Sequence, residues 1–148
     1  MVLPRFVVGH VIRTANSREL GDAGLIPGLW SRTLADASLL ALPARVGTEL
    51  YAALFDYEPG EDIRYSQVVG VGVDTLEGLP PGFAIVAPGD EERVCYDAAG
   101  PQPAALIGAW GRVWADSGSG ALSRRFTVDI ERHGPGGQAE ILIAGTRS

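Results

Sequence analysis

The sequence predicts an α+β domain in which one antiparallel sheet carries two helices and two β-α-β-β units are related by a pseudo-two-fold axis. Three observations lead to this. The first is an internal repeat. Gly28-Leu29-Trp30-Ser31-Arg32-Thr33-Leu34-Ala35-Asp36 and Gly108-Ala109-Trp110-Gly111-Arg112-Val113-Trp114-Ala115-Asp116 both read G-x-W-x-R-x-x-A-D, at an offset of 80 (108 − 28). A repeat spaced this widely marks a duplicated supersecondary unit rather than a solenoid. The second is helical periodicity in both copies. Ile26, Leu29, Trp30, Thr33, Leu34 and Ala37 share one face; Leu106, Ile107, Trp110, Val113 and Trp114 share another. The third is the order of extended segments around those helices, which is the same in both halves.

Residues 6–12, rich in Val and Ile, are the first predicted strand. Residues 14–21 are polar and read as a loop. Asp22 is placed to cap a helix running to about Leu40, with Pro27 in its first turn. Pro43 and Gly47 end that segment. Residues 49–57 read as a strand with Tyr51, Ala53, Phe55 and Tyr57 on one face. The turn Glu58-Pro59-Gly60-Glu61-Asp62 returns the chain as a strand over 63–73, where Gly70 and Gly72 mark a bulge or a close backbone approach. A bridge over 76–82 then separates unit one, about 1–75, from unit two, about 80–148, within a single domain spanning 1–148.

In the second unit, 83–86 and 92–96 are extended. Gly100-Pro101-Gln102-Pro103 leads into the helix around Trp110, and Ser117-Gly118-Ser119-Gly120 ends it. Strands over 126–132 and 139–144 flank the turn Gly134-Pro135-Gly136-Gly137. The hairpins echo each other, Asp56-Tyr57-Glu58 against Asp129-Ile130-Glu131, at an offset of 73 rather than 80. The connection from helix to strand is therefore shorter in the second unit.

Composition narrows the partners. The net charge is −6 and all twelve basic residues are Arg, which argues against direct nucleic-acid binding. A single cysteine, Cys95, excludes a disulfide within the chain and reads as a small buried hydrophobe. With only His10 and His133 beside it, no metal-ligand set is spaced along the sequence, and no cofactor is expected. No apolar run approaches the ~20 residues of a transmembrane helix, and the N-terminus lacks a signal-peptide pattern. A cytoplasmic protein without a membrane partner is expected. Trp30 and Trp110 either anchor their helices to the sheet or flank a shared cavity.

Taken in order, several pieces resemble the GyrI-like family, the effector-binding domain found behind AraC- and MerR-type DNA-binding modules. They are Val8-Gly9, Ile26-Pro27-Gly28-Leu29-Trp30, Leu50-Tyr51, Asp56-Tyr57-Glu58, Trp110 with Trp114, Asp129-Ile130-Glu131, and Glu140-Ile141-Leu142-Ile143. The resemblance covers nearly the whole chain. It implies a central ligand groove between the two units, walled by aromatic rings and carrying a buried carboxylate from the strand of Glu131. Trp30, Tyr51, Tyr65 and Trp110 are the implied walls. Leu142 stands where the family often has an aromatic residue.

A carboxyl in such a cavity has its ionised form disfavoured. It can attract a ligand cation or act as a general base, with Tyr51 or Tyr65 as donor to a developing oxyanion. Asp129, on the same strand face, is read as a structural hydrogen-bonding group, Tyr57 as strand-end packing and Glu58 as solvated. The expected function is binding of a small hydrophobic or aromatic drug or natural product. The chain is expected to stand alone, since no DNA-binding module precedes Phe6. Two alternatives come with the resemblance. One is a hydrolase of cyclopropane-bearing DNA-alkylating natural products, conferring resistance. The other is a gyrase-inhibitor-like interaction protein that meets a topoisomerase or a separate regulator.

Overall fold

A computed structural model describes residues 2–148. The elements are β1 (Phe6–Ala15), α1 (Asn16–Glu19), α2 (Ile26–Leu34), α3 (Ala37–Leu40), β2 (Arg45–Glu58), β3 (Arg64–Val73), β4 (Ala84–Val86) and β5 (Arg93–Asp97). They continue with α4 (Ala104–Ser119), β6 (Leu122–Arg124), β7 (Val128–His133), a 3-10 turn (Pro135–Gly137) and β8 (Ala139–Arg147). The sheet runs β4-β1-β3-β2-β7-β8-β5, with β6 paired to the far end of β8. Read outward from the β2/β7 seam, one side is β2-β3-β1 and the other is β7-β8-β5. The order predicted from the sequence is thus present on both sides of the seam, with β4 added at one edge.

Two apolar layers hold the sheet. On one face Leu29 of α2 packs with Ala52, Leu54, Tyr65 and Val69, and Ala109 and Val113 of α4 pack with Tyr96, Ile141 and Ile143. On the reverse face Val7, Tyr51, Ala53, Val68, Ile130 and Leu142 form a second cluster. Helix α2 lies over β1 and β3, and α4 over β5, β6 and β8. The helices thus cover opposite halves of the sheet and leave β2 and β7 as a floor between them. At the Gly9–Gly70 pair the β1 and β3 backbones close up. A Cβ on Gly9 would lie 2.0 Å from the Val69 carbonyl oxygen, and one on Gly70 would lie 1.8 Å from that of Val8. The close approach expected at Gly70 is with the neighbouring strand.

The repeated motif does the same structural work twice. Arg32 donates to the Val11 carbonyl of β1, and Arg112 donates to the Asp97 carbonyl of β5. Asp36 meets His10 of β1 at 2.8 Å, and Asp116 accepts from the Tyr96 hydroxyl of β5 at 2.8 Å. Each copy therefore ties its helix to the outer strand of its own half. Its Trp points the other way, toward the seam.

Several boundaries differ from the sequence reading. The predicted 22–40 helix is two helices, α2 and α3, and Asp22 does not cap it. The Glu19 carboxyl, from the short α1, accepts from the Leu25 and Ile26 N–H groups, each at 3.0 Å. A carboxylate there also suits the positive end of the helix. The break falls at Asp36, whose φ −92 and ψ 89 are not helical. Its carboxyl accepts from the Leu39 N–H in the first turn of α3. The polar stretch expected to be a loop continues β1 to Ala15 and then forms α1. The strand over 84–86 joins β1 rather than opening the second half, and β5 takes that place. Strand β6 has no counterpart in the sequence reading. Gly120, at φ +84, ends α4 as expected. Among the described residues no helix is long and apolar enough to cross a membrane.

The bond from Ser38, the contact with His10 and the Leu39 N–H together hold the Asp36 carboxyl at about 2, below its usual 3.8. A depressed acid stabilises the fold above its unfolded value and loses that contribution as pH falls through the folded one. Asp36→Ala is therefore expected to lower the thermal midpoint at pH 7. The gap to wild type should narrow as pH falls from about 4 to about 2. A gap that stays constant over that window would assign the loss to packing alone.

Candidate functional site

Strand β7 alternates, so Asp129, Glu131 and His133 project toward the helices while Ile130 and Arg132 project away. The register sets Ala52 and Ile141 on either side of Glu131, and Leu54 beside Asp129. Both carboxyls are buried, at 0% exposure for Asp129 and 4% for Glu131. A buried carboxyl needs donors, and each has them.

Asp129 is held on every side. Arg124 reaches it at 2.8 Å, the Tyr57 hydroxyl donates at 2.5 Å, and the Ala144 N–H donates at 2.8 Å. The structural role expected of Asp129 is what these bonds describe. Tyr57 is more than strand-end packing. Burial, then the carboxyl of Asp129, raises its phenol well above the usual range.

Glu131 is held by two side chains instead. The Trp110 indole Nε1–H donates to one oxygen at 2.8 Å, and His133 Nε2 meets the other at 2.9 Å. The imidazole stands edge-on to the Trp30 ring, with centroids 4.7 Å apart at 73°. Trp110 of α4 thus touches the buried carboxyl directly, and Trp30 of α2 reaches it through His133. Tyr65 belongs to the same apolar cluster, with Trp30 and Trp110 against it. Burial raises its phenol, and Glu19 and Glu131 add to this. Gln67, beside Tyr65 on the same face of β3, is 1% exposed, and its Oε1 has no partner among the described residues. Solvated Glu58 pairs instead with Arg13 at 2.9 Å.

Three readings of the sequence are corrected. Tyr51 does not join Glu131. It lies in the reverse-face cluster with Val7, Ala53 and Ile130, because its neighbour Ala52 is the residue paired with Glu131. Asp56, at φ +55, sits in a bulge that shifts the register between Phe55 and Glu58. The bulge turns Tyr57 onto the helix-covered face and leaves Tyr51 on the other. Leu142 also belongs to the reverse face, opposite Ile130, so it forms no wall. Cys95 is exposed, not buried. Partial desolvation and the bond from its Sγ to Glu140 push its thiol up to about 11.

His133 and Arg124 were missed by the sequence reading. His133 could have been found from the E-x-H spacing, which puts both side chains on one face of a strand. Arg124 left no such signal. Two surface cavities lie elsewhere. One, of about 230 Å³, is lined by Glu49, Asp97, Arg132 and Glu140; the other, of about 360 Å³, by Leu42, Val73 and Leu79. In the first, Arg132 is already paired with Glu140 at 2.5 Å. Neither gathers rings around a buried charge, and the seam between the helices does.

Comparison with solved structures gives the fold a context. An integron cassette protein from the mobile metagenome of Vibrio cholerae superposes with a TM-score of 0.76 at 23% identity, covering 98% of this chain and 92% of that one. The structure of SAV2435 bound to tetraphenylphosphonium superposes with a TM-score of 0.70 at 14% identity, covering 98% of this chain and 90% of that one. Both likenesses concern the fold. Comparison with protein-family models and with curated sequences finds no match.

The Trp110–Glu131 bond gives a direct test of the floor. Trp110→Phe keeps a ring on the face of α4 but removes the N–H donor. Leaving one oxygen of a buried carboxyl without its partner is expected to lower stability by about 1.5–3 kcal/mol in urea denaturation. A change below ~0.5 kcal/mol would mean that the indole N–H does not support Glu131.

Proposed function

We propose that this chain is a small-molecule-binding protein of the GyrI-like effector-binding type, and that the seam between α2 and α4 takes a hydrophobic, aromatic, cationic compound. One observation carries the reading. The donors on Glu131 are the side chains of Trp110 and His133, which rotamer changes can move, and the His133 ring in turn meets the Trp30 ring from the other helix. A carboxyl beneath rings is the arrangement that attracts an organic cation. A cation entering there would replace the two donors and gain the faces of Trp30 and Trp110. Gln67 Oε1 offers a further acceptor on the floor to a ligand N–H. The likeness to a fold that holds tetraphenylphosphonium supports the same reading.

A second reading, hydrolysis of cyclopropane-bearing alkylators, is favoured by the Glu131–His133 contact, a carboxyl and an imidazole side by side. With Tyr51 on the reverse face, Tyr65 is the remaining phenolic donor for that chemistry.

Glu131→Gln separates the readings, since it keeps shape and hydrogen bonding but removes the charge and the basicity. For a binding protein, tetraphenylphosphonium affinity, followed by Trp fluorescence, is expected to fall about tenfold or more, while neutral triphenylphosphine oxide is unaffected. Neither protein should form product. For a hydrolase, product formation from a cyclopropane-bearing alkylator should fall by ~10²–10⁴-fold. Equal affinity of both proteins for both ligands, with no turnover by either, would remove Glu131 from the site.

A further inference from the structure

Arg124 ends β6, and its side chain is only 5% exposed. Its guanidinium carbon lies 4.3 Å from the centre of the Phe126 ring, 5.6 Å from Tyr57 and 5.9 Å from Trp110. Its NH2 group reaches Asp129 at 2.8 Å, and its Nε–H is buried without a partner among the described residues. A buried guanidinium normally uses its donors fully. This one leaves a donor idle and is instead surrounded by ring faces and one carboxyl, the surroundings that suit an organic cation.

The backbone is shaped around it. Phe126 and Asp56 are the non-glycine residues in the left-handed region among those described, at φ +56 and +55. The first brings the Phe126 ring over the guanidinium. The second belongs to the bulge that brings Tyr57 to it. Such strain in an aromatic residue persists only where the surroundings enforce it.

Trp110 is shared between two carboxyl positions. Its N–H is on Glu131, and its ring faces Arg124. Asp129 and Glu131 are two residues apart on one strand face, about 7 Å along the chain. We propose that Arg124 is the specificity-determining residue of the groove: a tethered guanidinium that fills a second cation subsite, made by Phe126, Tyr57, Trp110 and Asp129, and restricts the groove to ligands with one cationic centre. A second ligand cation reaching that subsite meets a like charge in a poorly solvated place, where repulsion is strong. This inference rests on the reading of Glu131 as the ligand's anionic partner.

A matched pair of probes tests it. Benzyltrimethylammonium carries one charge, and its para-xylylene bis-quaternary analogue carries two, at a spacing comparable to that of the carboxyls. In wild type the bis-cation should bind no better than the monocation. In Arg124→Ala, where Asp129 keeps the Tyr57 and Ala144 donors, the ratio of bis-cation to monocation affinity should rise about tenfold or more. A merely structural Arg124 would alter both affinities alike, so an unchanged ratio overturns the proposal. Methylguanidinium gives an independent readout. At millimolar concentration it should raise the thermal midpoint of Arg124→Ala saturably and leave wild type unmoved. If the variant does not fold alone, methylguanidinium should restore folding, and failure to do so also overturns the proposal. If no cation binds wild type, the reading of Glu131 falls. The methylguanidinium response then decides the Arg124 subsite by itself.

Discussion

Two carboxyl groups buried side by side on β7 are the constraint around which this structure is arranged. Asp129 and Glu131 sit on the helix-covered face of the sheet, where an unpartnered carboxyl would be costly. The donors that satisfy them come from distant parts of the chain: Tyr57 from the end of β2, Arg124 from β6, the Ala144 amide from β8, and Trp110 from α4. Meeting that requirement pulls β6 against β8, bends β2 at Asp56 and holds α4 over the second half of the sheet. The two acids differ in kind. Asp129 is bound by a backbone amide and a buried ion pair, and is fixed. Glu131 is bound by an indole and an imidazole, two side chains that a change of rotamer can move.

The repeated motif serves that arrangement indirectly. Arg32 and Asp36, like Arg112 and Asp116, fasten a helix to the outer strand of its own half. With the charged residues engaged at the outer edges, each helix presents its Trp to the seam. The strongest sequence signal in the chain therefore encodes the clamps, and the site lies where their free faces converge.

This explains what was legible. Two helices with Trp on their apolar faces and a hairpin after each follow from period and turn composition, whereas a buried Glu131 facing them was implied only by the family resemblance, since periodicity alone leaves it a solvated carboxylate at a hairpin end. What failed did so for local reasons. Counting by twos from Tyr51 to Tyr57 gives one face, but the bulge at Asp56 changes the phase between them. Cys95 lies between the inward-facing Val94 and Tyr96, and no helix covers the reverse face of β5 there, so it is exposed. The unbroken periodicity from Ile26 to Ala37 hid the break at Asp36, because the break comes from a side chain engaging His10 and Leu39. Arg124 follows a glycine turn in a polar stretch, and only the packing of β6 on β8 brings it beneath three rings.

In the proposed function the Trp110–Glu131 contact is a closed door that a cation opens. The most direct measurement is the indole N–H region of a nitrogen-15 correlation spectrum, where the three Trp residues give three signals. In the free protein one indole N–H, assigned to Trp110 through its loss in Trp110→Phe, should be shifted and slow to exchange because it is bonded to a buried carboxyl. Titration with tetraphenylphosphonium should move that signal toward a free indole and speed its exchange, with a smaller change at Trp30 and least at Trp114. An indole signal of Trp110 that keeps its position and protection at saturating ligand would contradict the account.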